Sequence, residues 1–177
     1  WRSLVGSEMC IRDRSDKGFA RLLTVTVIRR AGQIDNVIQC FLRTGMPSGA
    51  RDFKNILRLA CAEILFLGGK SHAAVDSAVT LVEAKKLPHY KGLANAVLRR
   101  LASEGKTKLK RFPVRLNYPS WLIDSWTNHY GLDKAEKIFE ACVQEPMLDI
   151  SVKSNPSYWA KKLDGQLLAS GSIRRKF

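Results

Sequence analysis

The chain has 177 residues, 45% of them hydrophobic and 26% charged, which is enough for one domain and the start of a second. Thirty Lys and Arg against sixteen Asp and Glu leave a net charge of +14, and no run of about 18 uninterrupted apolar residues exists to cross a membrane as a helix. The cysteines, Cys10, Cys40, Cys61 and Cys142, form no Cys-x-x-Cys pair; this argues against a zinc site and a disulfide framework, and fits a reducing, cytoplasmic setting with small buried thiols at Cys40, Cys61 and Cys142.

Trp1 to Arg14 lacks the long apolar core of a secretory signal. From Asp16 to Ala31 the apolar residues Phe19, Leu22, Leu23, Val25, Val27 and Ile28 recur mainly at helical spacing, and Gly32 is expected to stop that helix. A short helix follows over Asp35 to Leu42, then a loop through Gly45, Pro47, Ser48 and Gly49. Phe53 to Leu67 is apolar on most sides, as expected for the central helix of a bundle. Ser71 is placed to cap a helix running to about Lys86, with Ala74, Val75, Ala78, Val79 and Val82 on one stripe. Lys91 to Ala102 is predicted as another amphipathic helix. Lys106, Lys108, Lys110 and Arg111 then read as a basic connector and a candidate domain boundary, a solvated linker that is also able to track a phosphate backbone without reading bases. Beyond it, Pro119 suits a first helical position before Trp121, Leu122 and Trp126. Asp133 with Glu136 resembles a capping box for a helix through Phe139. Met147 to Lys153 alternates like a strand, and a short helix after Asn155-Pro156 carries Trp159 and Leu163. The two tryptophans of the first of these helices are five residues apart, so one is expected in a core and the other at a domain contact.

The positive charge is not spread evenly. Residues 15–118 hold 19 basic and 7 acidic side chains, whereas residues 119–177 hold 8 and 7. Such a field in the central segment attracts polyanions, because each neutralised phosphate releases condensed counterions. No segment reads as a basic amphipathic membrane anchor, and His72, His89 and His129 have no metal-ligand spacing, so neither a membrane nor a metal is expected as a partner.

Three stretches carry a resemblance when read in order: Asn55-Ile56-Leu57-Arg58-Leu59; His72-Ala73-Ala74-Val75-Asp76 with Ala78-Val79; and Lys91-Gly92-Leu93-Ala94-Asn95-Ala96-Val97-Leu98-Arg99-Arg100. Their order and spacing resemble NusB-like domains, most closely those fused ahead of 16S rRNA cytosine-5 methyltransferases. Asn117-Tyr118-Pro119-Ser120-Trp121-Leu122, with Trp126, Tyr130 and Gly131, is similar to the linker into the methyltransferase part, as is Glu145-Pro146-Met147-Leu148-Asp149-Ile150-Ser151-Val152-Lys153. The resemblance covers roughly residues 16–175. It implies a mainly α fold: a NusB-like helical bundle followed by the start of an α/β methyltransferase region. The domains expected are a partial RNA-binding bundle over 15–112 and linker helices with the beginning of the methyltransferase subdomain over 113–177. Residues 1–14 resemble translated sequencing-adapter sequence rather than the family's earlier helices and are expected to be a non-native leader. The absence of those helices should leave apolar bundle surface uncovered.

The function implied is RNA binding and positioning within an S-adenosylmethionine-dependent 16S rRNA methyltransferase, with the catalytic core absent; the alternative is a stand-alone NusB-type antitermination factor that contacts RNA and a protein. In intact members a cysteine thiolate attacks cytosine carbon-6 and a second cysteine supports product release. No cysteine here matches those motifs, and Gly165 and Gly171 lack the context of a nucleotide-binding loop. No catalytic, metal or cofactor-binding residue is therefore expected. The candidates for contact with 16S rRNA are Arg29, Arg30, Arg58, Lys91, Arg99 and Arg100. Each has a structural alternative: Arg29–Arg30 and Arg99–Arg100 as cations at helix C-termini, and Arg58 as the partner of an acid such as Asp76 or Glu63.

Overall fold

A computed structural model describes residues 7–175, with side chains from Asp16 onward. Eight α-helices and three short strands lie among the described residues. The chain divides into two compact units, one through Glu140 and one from Ala141.

The first unit is built on five helices: α1 (Ser7–Arg29), α2 (Ala31–Gln39), α3 (Arg51–Leu65), α4 (Ser71–Ala84) and α5 (Lys91–Leu109). Their apolar stripes meet in one core. Ile34, Val37 and Ile38 come from α2, Phe53, Leu57 and Cys61 from α3, Val82 from α4, and Leu98 and Leu101 from α5. α3 touches all four of the others, as its apolar circumference predicts for a central helix. The rings of Phe53 and Tyr90 stack with centroids 4.4 Å apart, joining the start of α3 to the 3-10 turn Pro88–Tyr90 that enters α5.

Several boundaries depart from the sequence expectation, two of them through close packing at a glycine. α1 begins at Ser7 rather than near Asp16, so Ser7 to Arg14 of the expected leader is helical backbone; residues 1–6 of that leader lie outside the described residues. Gly32 does not end α1. It lies in the first turn of α2, where a β-carbon would sit 1.8 Å from the carbonyl oxygen of Leu116, so glycine is there for close approach of a second chain segment. Ser71 is the first residue of α4 and makes no side-chain cap; Lys70 occupies the cap position. α5 runs past Ala102 to Leu109, because Gly105 packs beneath Leu65 and because Leu109 and Phe112 reach the core. The basic stretch taken for a connector is thus partly helical. Cys61 is buried as expected, and burial pushes its thiol well above the usual range; Cys40 and Cys142 are exposed instead.

After α5 a 3-10 turn, Val114–Asn117, is fastened to α2. The buried Gln33 donates from its side-chain amide to the carbonyl of Phe112 at 2.8 Å. Asn117 accepts from the Gln33 backbone at 2.9 Å and donates to the Gln33 side-chain oxygen at 3.0 Å. α6 (Ser120–Tyr130) and α7 (Leu132–Cys142) follow. Gly131, at φ 80°, separates them in a conformation that side chains resist. Trp126 joins Tyr118 and Phe139 in an aromatic cluster, closed by a 2.9 Å hydrogen bond from the Tyr118 hydroxyl to the Phe139 carbonyl. Trp126 is thus the packed tryptophan of the pair, and Trp121 is 68% exposed.

Apolar side chains are exposed along α1, namely Phe19, Leu22 and Ile28. A groove of about 230 Å³ opens among Phe19, Leu23, Ile56, Leu59, Ala78 and Leu81.

The second unit holds β1 (Leu148–Ile150), α8 (Pro156–Lys162), β2 (Gln166–Leu167) and β3 (Ile173–Arg175), with an antiparallel sheet of order β1-β3-β2. Only the first strand was legible beforehand. Ile150 and Leu167 both pair with the buried Ile173. On the opposite face Arg174 makes two hydrogen bonds to Asp149, at 2.8 and 2.7 Å.

Candidate nucleic-acid interface

The bundle sorts the six candidate cations into those held by the fold and those left outward. Arg58 is held. From α3 its guanidinium meets Asp35 of α2 through two parallel bonds, Nε to Oδ1 at 2.7 Å and Nη2 to Oδ2 at 2.6 Å. Lys54, one turn earlier on α3, reaches the same carboxylate at 3.0 Å. Burial by itself would raise the Asp35 carboxyl, but the hydrogen bonds from Arg58 and Lys54 hold it below the usual carboxylate range. Those bonds raise Arg58 in turn. The sequence allowed an acidic partner but pointed to Asp76 or Glu63; helix packing supplies Asp35, 23 residues away.

Arg30 is also engaged. It stands at the break between α1 and α2, with its guanidinium carbon 4.5 Å from the centroid of the Phe66 ring and one nitrogen 3.4 Å from the Gln33 side-chain oxygen. Burial lowers its pKa, offset in part by Tyr118, and its geometry suits packing more than contact with solvent-borne phosphate. Arg29, on the last turn of α1, is half-buried. Lys91 opens α5 at the far end of that helix from the basic stretch and pairs with Glu83 of α4. The six residues therefore do not form one patch.

Arg99 and Arg100 differ from the rest. They were expected at a helix end, but with α5 extending to Leu109 they lie in mid-helix, where a dipole role disappears. The buried residues of α5 are Ala94, Val97, Leu98, Leu101 and Gly105. The opposite face exposes Gly92, Ala96, Arg99, Arg100, Ser103, Lys106, Thr107 and Lys110. Helical spacing aligns Arg99, Lys106 and Lys110 along one side of that face, at i, i+7 and i+11. Arg99 to Lys110 spans about 16 Å at 1.5 Å per residue. Arg100 lies toward Phe41, 5.3 Å from the ring centroid, and makes a loose 3.9 Å pair with Glu104. On the Arg99 side a groove of about 450 Å³ is lined by Ser71, His72, Val75, Arg99, Ala102 and Ser103. The first turn of α4, whose backbone N–H groups lack a side-chain cap, borders that groove.

A row of cations on a rigid helix can track a phosphate backbone, since the helix fixes their separation before binding. The sequence marks Arg99 and Arg100 as candidates, and Lys106 to Arg111 as a solvated linker able also to track a phosphate backbone; the alignment of Arg99, Lys106 and Lys110 on one helix face is what the fold adds. The i+7 and i+11 spacing of the two lysines from Arg99 was the available signal, masked by the glycine at 105. No three His, Cys, Asp or Glu side chains gather to hold a metal among the described residues, and no helix among them is long and apolar enough to cross a membrane.

The chain is 30% identical over 141 residues to ribosomal RNA small subunit methyltransferase B of Xanthomonas campestris pv. campestris, covering 77% of this chain and 31% of that protein. Proteins of the same name from Salmonella paratyphi B and Salmonella enteritidis PT4 are 27% and 28% identical over 140 residues, covering 77% of this chain and 32% of theirs. The chain thus spans about a third of the length of these curated relatives. A model of the NusB family matches residues 7–103, from the start of α1 to two turns before the end of α5, and the chain belongs to that family.

Proposed function

We propose that the chain is an RNA-binding and positioning module of a ribosomal RNA small-subunit methyltransferase, and that the outward face of α5 is its principal RNA contact. The observation that carries this reading is the row of Arg99, Lys106 and Lys110, with Arg100 beside it, on a helix whose other side is locked into the core. The relatives' names supply the methyltransferase context. The finer parts of the reading are a cytosine-5 modification of 16S RNA, S-adenosylmethionine as the methyl donor of the parent protein, and a cytoplasmic setting. The division into a bundle over 15–112 and a linker with the start of a methyltransferase subdomain over 113–177 belongs to the same proposal.

When bound in the parent, S-adenosylmethionine would supply the methyl group. The described residues do not fit that cofactor: Gly171 turns the β2–β3 hairpin at φ 81°, and Gly165 is shaped by close contact with Ile173. Neither opens a strand–turn–helix cradle for a nucleotide, so no catalytic step is assigned to them. The contribution left to this chain is placement, which removes part of the entropic cost of bringing a reacting base to its catalyst.

A second reading, a stand-alone antitermination-type factor, draws on the family match over residues 7–103 alone. The similarity to the methyltransferases reaches over 77% of the chain and favours the first reading.

Replacing Arg99 and Arg100 together by Glu tests the RNA contact. Binding to small-subunit RNA, followed by fluorescence anisotropy, should weaken by roughly tenfold or more at moderate salt, with a shallower salt dependence. An unchanged affinity in a variant that melts normally would refute the assignment.

A further inference from the structure

The chemistry of the α5 face also narrows the form of RNA it fits, an inference that rests on the RNA-binding reading above. Proteins that hold single-stranded RNA mostly stack its bases on aromatic side chains. α5 carries no aromatic residue at all. Its face offers charge and hydroxyls instead: Arg99, Lys106 and Lys110 on the side toward α4, Arg100 on the side toward Phe41, and Ser103 and Thr107 between them. Glu104, the one acid nearby on the helix, pairs loosely with Arg100 at the margin rather than in the cationic row. The Ser103 hydroxyl donates to the Arg100 carbonyl at 3.0 Å, which leaves its oxygen lone pairs able to accept from outside.

An A-form duplex presents a deep, narrow major groove that side chains do not read and a wide, shallow minor groove edged by phosphates and displaying 2′-hydroxyls along its sides and base edges on its floor. A helix about 10–12 Å across settles against such a surface when its outward side chains are short at the centre and cationic at the margins. The exposed residues at the centre of this face, Ala96, Ser103 and Thr107, are short. A B-form DNA minor groove is only about 6 Å wide and has no 2′-hydroxyls to meet Ser103 and Thr107.

We propose that the outward face of α5 docks double-helical RNA across its shallow groove, with Arg99, Arg100, Lys106 and Lys110 at phosphates and Ser103 and Thr107 at 2′-hydroxyls. The recognition is of shape and sugar, with little dependence on base sequence.

The test titrates the full chain against three labelled probes of one sequence, each about 16 nucleotides or base pairs long to match the span of shape-reading RNA modules. The probes are an RNA duplex, one of its single strands and the corresponding DNA duplex. The RNA duplex should bind roughly tenfold tighter than either of the others. A single strand, or a DNA duplex, that binds as well as the RNA duplex overturns the inference while leaving nucleic-acid binding in place. Failure of all three probes removes the RNA-binding reading as well. A second variant, Ser103→Leu, raises the centre of an exposed face without touching the core. Its duplex affinity should fall by about tenfold with single-strand binding nearly unchanged; equal duplex affinity for Ser103→Leu and the parent chain would overturn the proposal.

Discussion

Arg58 and Arg99 carry the same charge on neighbouring helices and have opposite fates. Arg58 is turned inward against a half-buried carboxylate, its side chain 25% exposed and that of Asp35 31%; Arg99 is turned out beside a groove. Arg58→Ala should therefore leave RNA affinity within about twofold and lower unfolding stability, by about 1–3 kcal/mol for a hydrogen-bonded charge that loses its partner. The pH dependence follows from Asp35. Its folded pKa lies below its unfolded value, so the stabilisation it contributes is complete above about pH 4 and is lost as pH falls through the lower, folded value. Asp35→Asn should be less stable near neutrality and should show a flatter loss of stability on acidification. Urea unfolding at a series of pH values measures both, and a parallel shift of the two curves would contradict the assignment.

At the scale of elements, α5 shows how packing sets a helix's length. A glycine at position 105 weakens helix propensity by about 1 kcal/mol, and the lysines that follow read as a solvated tail. In the bundle that glycine is the contact that admits Leu65, with the ideal β-carbon position 2.9 Å from its methyl. The helix continues, and Lys106 and Lys110 come into line with Arg99. The turn Val114–Asn117 then depends on the amides of Gln33 and Asn117. Removing Asn117 deprives the Gln33 backbone N–H of its acceptor and the Gln33 side-chain oxygen of its nearer donor. Asn117→Ala should thus cost about 1–3 kcal/mol, and Gln33→Leu with Asn117→Leu together should cost less than the two single changes summed. A double-mutant cycle by denaturant unfolding checks this; strict additivity would mean the two amides act independently.

Across the whole molecule, charge is the property most directly tied to the proposed role. The excess of basic residues lies in residues 15–118, and Arg99, Arg100, Lys106 and Lys110 are four of its exposed cations on or just after α5. If each neutralises one phosphate of a duplex, the plot of log affinity against log salt should have a slope of about −3.6. Reversing Lys106 and Lys110 should reduce its magnitude by about 2. A slope that stays the same after reversal would place the contact on another face. The second unit, from Ala141 onward, carries six basic and three acidic side chains, a net +3, against +12 for residues 15–118.

The sequence by itself determined the mainly helical architecture, the NusB-like order of motifs and the polyanion-seeking charge, because these reside in periodicity, spacing and composition. Phe53, Leu57, Val82, Leu98 and Leu101 were recognisable as core for the same reason: each lies on a stripe that only burial can satisfy. Which cations remain outward was decided by the tertiary structure. Arg58 is withdrawn by Asp35, a residue on another helix, and Arg30 by Phe66 at the far end of α3. The α5 face emerges because Leu65 and Phe112 carry the helix past a glycine. The two short strands after α8 were likewise unreadable: strands of two and three residues carry almost no period, and they pair through contacts that exist only once the chain has folded back on itself.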